Sequence, residues 1–171
     1  MIYLYYIICF ALYIFCSYTF LNEMGVSEGH LIGAFTYQFA HTSLLHLVLN
    51  TFCLSVMFNP IHNLYTLRFG WCERGWLFVT CYALSVLAAF PTAMDVPTIG
   101  GSGIVFTLLG MLLALNPTKR QLKAFIWVAA AVAVQWWFGK SNTMLHLTAM
   151  LFGSLWIIAR ILYVNIRNHR N

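Results

Sequence analysis

Residues 100–117 read GGSGIVFTLLGMLLALNP: a serine set among three glycines, then an apolar run that stops at Asn116 and Pro117. No charge interrupts the run, so it reads as a helix made for lipid. From Ser102 to Leu115 it rises about 20 Å at 1.5 Å per residue, against a hydrocarbon core of about 30 Å. Lys119, Arg120 and Lys123 follow closely and pin its inner end to the headgroups. Its outer end, at Ser102, is then expected roughly 10 Å below the outer surface. The segment 91–101 must descend to meet it. Irregular backbone at that depth is tolerated only against protein or a water-filled cavity. The stretch therefore predicts a hydrated pocket at the start of a submerged helix.

The rest of the chain agrees with lipid as the solvent. Of its 171 residues, 61% are hydrophobic and 8% charged, with a mean hydropathy of +0.79. A soluble domain carries about a quarter charged residues to cover its surface. Apolar runs separated by polar punctuation predict six spans, at 1–21, 43–58, 74–90, 103–115, 123–138 and 143–164. The breaks fall at 22–29, 59–73 around Pro60, 91–101, 116–120 around Pro117, and 139–142. The expectation is an all-α, polytopic six-helix bundle forming one domain over 1–171. The first run lacks the positive region of a signal peptide and is expected to stay as a span.

The net charge of +5 is spread singly or in short groups between apolar runs, with no basic face for nucleic acid. Its distribution reports orientation instead. With the amino terminus inside, eight of the nine Lys and Arg residues are internal, leaving Lys140 outside with Glu23, Glu28 and Asp95. The positive-inside rule then places both termini on the cytoplasmic side. Five cysteines show neither disulfide spacing nor a Cys-x-x-Cys pair. Cys9, Cys16, Cys53 and Cys81 lie in apolar runs as small hydrophobes, and Cys72 falls in an inner loop.

The second and sixth spans run in the same direction as the fourth. Measured from Asn59 and Arg160, His46 and His146 each stand about 20 Å above the inner boundary, level with Ser102. Asn50 lies one turn below His46 on the same face, and His41 about a turn above it. Each has an ordinary reading: a serine among glycines is a turn, and His and Asn bond across membrane helices. His30, His62 and His169 fall in loops or the tail. Polar groups inside a membrane are costly and mark functional sites, and four at one depth exceed what packing asks for.

Those residue types suit acyl transfer. A hydroxyl attacks a peptide carbonyl when a neutral imidazole removes its proton. The resulting oxyanion needs fixed donors. Ser102 opens a helix, where unpaired N–H groups favour an anion. Asn50 adds an amide and His46 a ring N–H, while Gly101 and Gly103, after Gly100 in the same turn, allow close backbone approach. With no acid at that depth, a Ser102–His146 dyad is expected, and Asp95 is read as a solvated loop residue.

Three motifs in this order resemble the rhomboid family, over nearly the whole chain from the second span onward. His41-x-x-x-x-His46-x-x-x-Asn50 resembles its second-span pattern, Gly100-x-Ser102-Gly103 its nucleophile turn, and His146 followed by Gly153 its sixth-span base. The resemblance implies Ser102 as nucleophile, His146 as base, and His46, Asn50 and the Ser102 backbone as the oxyanion hole. It implies no cofactor or metal, and cleavage of single-span membrane proteins near their outer end, after a small residue. The expected location is a prokaryotic plasma membrane. Phe106 stands where many members have Tyr, able to stack on the base but not to donate. Ala149 replaces a glycine, which predicts a wider gap between the fourth and sixth helices. The first outer loop lacks a Trp-Arg pair, and Thr66 stands where Glu is frequent. The fifth span, with Trp136 and Trp137 at its outer end before Gly139, is expected to gate substrate entry. The alternative is a proteolytically inactive rhomboid-like protein that binds membrane clients. A transporter would be expected to show an inverted repeat or an intramembrane carboxylate, and neither is present.

Overall fold

The structure is a computed structural model that describes residues 1–70, 73–116, 118, 126 and 142–168. Among them the fold is all-α, with isolated bridges and no strand. Helix α1 (Ile2–Phe15) is apolar throughout and ends where Cys16 turns extended, at φ −101° and ψ 146°. Ser17 then opens α2 (Tyr18–Glu23), its hydroxyl accepting from the Phe20 N–H at 3.3 Å. The expected first span, 1–21, is therefore two helices, because one serine supplies a new cap inside an apolar run.

The first outer loop crosses the top through a 3-10 turn at Leu31–Phe35. Val26 pairs with Thr98 through two backbone bonds of 3.0 and 2.9 Å, tying that loop to the segment before Ser102.

Helix α3 (Leu44–Phe69) begins under Ser43, whose hydroxyl accepts the His46 N–H at 3.2 Å. It ends at Gly70, whose φ of +84° lies in the left-handed region. The expected break around Pro60 is absent, and His62 lies within the helix rather than in a loop. The cause is visible in the buried stripe Leu47, Asn50, Leu54, Phe58, Ile61 and Tyr65, which keeps helical spacing across Pro60. Asn59 is thus not the inner end of this helix, and the helix Thr143–Asn168 likewise runs past Arg160.

Helices α4 (Arg74–Ala89), α5 (Ser102–Leu115) and α6 (Thr143–Asn168) begin where expected, to within a residue. Among the described residues, three helices are long and apolar enough to cross a membrane by length and composition: Leu44–Phe69, Arg74–Thr92 (α4 with its 3-10 extension) and Thr143–Asn168. Helices α1 and α5 are apolar at 14 residues each. Of the expected fifth span, 123–138, Ile126 alone is among the described residues, and Trp136, Trp137 and Gly139 lie outside them.

Helix α5 sits at the centre. Its Ile104, Leu108 and Met111 are fully buried against Leu47, Leu54, Ile61, Leu77 and Ile157 of the surrounding helices. Among the described helices, α5 and α6 make the most extensive contact. A Cβ on Gly110 would overlap the Met150 carbonyl, and one on Gly153 the Thr107 carbonyl. These two glycines let the backbones touch, so Ala149, itself fully buried, does not hold the helices apart. The outer surface carries exposed Leu45, Leu49, Phe52 and Val56 from α3 alone, a surface suited to lipid.

Candidate active site

The turn before α5 is shaped by the groups packed around it. Gly100 holds a φ of +116°, a conformation that side chains disfavour. A Cβ there would also strike the His46 ring and approach the Asn50 amide to 3.4 Å. The Gly100 N–H donates to the Tyr37 carbonyl at 2.8 Å. Ser102 follows as the first residue of α5, and no side chain caps this helix start. Its early N–H groups therefore point toward the pocket with the positive end of the helix dipole.

His146 reaches the same point from the second turn of α6. Its Nε2 lies 2.9 Å from Ser102 Oγ, joining residues on two different helices. The ring is stacked on Phe106, with centroids 4.3 Å apart and planes 14° from parallel. Phe106 is one turn after Ser102 on α5, so a single helix carries the hydroxyl and the platform for its partner. The ring is 8% exposed. Its buried Nδ1 has no hydrogen-bond partner among the described residues. With Ser102 donating to Nε2, the proton resides on Nδ1, leaving Nε2 as the acceptor. Asp95 is exposed in the outer loop.

On the other side of Ser102, His41 is fully buried in the strap before α3. Its Nδ1 donates to the Phe39 carbonyl at 3.3 Å, which makes Nε2 an acceptor. Two donors converge on that nitrogen, the Asn50 amide at 3.1 Å and the Gly101 N–H at 3.3 Å. This fixes Asn50 with its NH₂ toward the turn. The His46 ring stands edge-on to His41, 5.2 Å between centroids, against Gly100. Ser102, His146, Phe106, His41, His46, Asn50 and the three glycines thus meet in one place.

Several supporting residues escape sequence reasoning. Asn142 caps α6, its Oδ1 accepting the Leu145 N–H at 2.9 Å. Its amide donates to the Thr92 carbonyl at 2.8 Å and the Thr98 hydroxyl at 3.1 Å. Asn142-Thr143 before an apolar run is a helix-start signal that could have found it. The Tyr37 hydroxyl and Ser85 Oγ, 2.6 Å apart, close the space beside Gly103. No sequence signal marks that pair.

A neutral imidazole on a hydroxyl, beside a helix start and an oriented amide, can drive acyl transfer. A protein-family model described as Rhomboid domain matches residues 28–162. That range takes in every residue of this pocket. No curated protein matches the chain.

Proposed function

The chain belongs to the rhomboid family, and we propose that it is an intramembrane serine endopeptidase with Ser102 as nucleophile and His146 as general base. The family's members are generally intramembrane serine proteases, and the chain is an integral membrane protein. The observation that carries the reading is the 2.9 Å contact between Ser102 Oγ and His146 Nε2, with the ring stacked on Phe106.

In this mechanism Ser102 Oγ attacks the carbonyl carbon of a substrate peptide as its proton passes to His146 Nε2. The oxyanion is held by the Ser102 N–H, the Asn50 amide and the His46 ring. The C–N bond then breaks as His146 Nε2 returns the proton to the leaving amine, and the acyl group stays on Ser102. Water, deprotonated by the same nitrogen, attacks the ester; the bond to Ser102 Oγ breaks as His146 returns that proton to Oγ, and the new acid leaves. His146 works without a carboxylate partner, held by stacking rather than by a third charge. The substrates are single-span membrane proteins, cleaved near their outer end in a six-span domain. Both termini face the inner side, where Arg68, Arg74, Arg160 and Arg167 lie.

Labelling with a serine-directed fluorophosphonate in detergent tests this reading. Wild type should label, and Ser102→Ala should not. A folded wild type that resists labelling would instead favour the inactive, client-binding alternative.

A further inference from the structure

Gly101 lies between Gly100 and Ser102, and its side-chain direction is closed by a residue far away in sequence. A Cβ at 101 would overlap the Tyr5 hydroxyl, while its next neighbours, Gln38 O and Tyr5 Cζ, would be at an ordinary 3.4 Å. Tyr5 belongs to α1, outside the 28–162 match. Its ring is 3% exposed, wedged between Phe39 and Phe78 at 5.4 Å from each. Its hydroxyl donates to the Gln38 carbonyl at 2.8 Å. The neighbouring Tyr37 carbonyl accepts the Gly100 N–H. The strap at 37–38 is therefore fastened to the turn at one residue and to α1 at the next.

We propose that Tyr5 is a positioning residue for the nucleophile. Its hydroxyl stands where a side chain at 101 would stand and holds the Gly100–Gly101 backbone against the strap. Ser102 and its N–H follow directly from that backbone, so a shift at 101 moves both the attacking oxygen and an oxyanion donor. The inference rests on the protease reading, because position matters here through the reaction at Ser102. The hydroxyl and the missing Cβ are complementary in space. Removing the oxygen should make room for the methyl.

The test compares wild type, Tyr5→Phe, Gly101→Ala and the double variant, by turnover of a model single-span substrate and by thermal unfolding in detergent. A 1 Å misplacement can cost about 10²-fold in rate, and Gly101→Ala should lose about that much in kcat. Tyr5→Phe should lose less, within about tenfold, at unchanged KM. The double variant should recover most of what Gly101→Ala lost. As a control, Tyr6→Phe removes the hydroxyl bonded to Ser55 at 2.7 Å on the same helix. It should lower Tm and leave kcat at the wild-type value, which a purely structural role for Tyr5 would also give. A double variant no faster than Gly101→Ala, or a Tyr5→Phe with wild-type kcat, overturns the proposal. Should Gly101→Ala fail to fold, Tyr5→Phe against Tyr6→Phe decides alone. Should wild type neither turn over nor label at Ser102, the protease reading fails on its own. The unfolding data then decide the contact: a double variant more stable than Gly101→Ala keeps it, and an equal or lower Tm removes it.

Discussion

Among the described residues, the imidazole of His146 makes one polar contact and one stacking contact, with Ser102 and with Phe106. Its Nδ1 is bonded by no described residue. The orientation of the base therefore depends on Phe106. Truncating that partly buried ring should cost about 2 kcal/mol, below the about 3–5 kcal/mol of a fully buried Phe. Phe106→Ala should lower kcat and Tm together, while Phe106→Tyr, which keeps the ring, should stay near wild type in both; steady-state kinetics and thermal unfolding in detergent read this out. A Phe106→Ala enzyme with full kcat would mean that the stack does not hold the base. At this scale the pocket was largely legible in the sequence. Serine, histidine and asparagine are conspicuous in apolar spans because their burial there is expensive. Tyr5, Tyr37 and Ser85 were not, since a phenol in an apolar run counts as a hydrophobe until the partner of its hydroxyl is known.

The two residues of the proposed dyad ride on α5 and α6, so their separation is set by how those helices pack. Gly110 and Gly153 let the backbones meet, and Asn142 caps α6 one turn before His146. Gly153 lies two turns beyond His146 on α6 and faces the Thr107 carbonyl. Gly153→Ala should nonetheless push against the Thr107 carbonyl, costing about 1–3 kcal/mol as overpacking, and displace the base. Both Tm and kcat should fall, whereas Leu155→Ala on the exposed face should change neither. Unchanged values in Gly153→Ala would show that the interface has slack. Helix boundaries were legible where a polar cap meets an apolar run, as at Ser43, or a glycine-rich turn meets one, as before Ser102. They were misread where hydropathy alone spoke. Ser17 divided the first run, and Pro60 failed to end α3, because one side-chain cap and one continuous buried stripe decided those points.

At the scale of the molecule, exposed Leu, Val and Phe among the described residues surround a centre where Asn50 and the Gly101 N–H converge on His41 and His146 meets Ser102. Composition made the solvent legible and charge distribution suggested the orientation. The meeting of three chain regions at one turn required tertiary structure. Such an arrangement makes a strong demand, since a serine and a histidine held this way in a membrane protein are predicted to act on a peptide bond presented from lipid. The direct measurement is cleavage of a single-span substrate in proteoliposomes by wild type, Ser102→Ala and His146→Ala, each shown to be folded. The account predicts cleavage by wild type and background from both variants. Wild-type turnover by either variant would contradict it.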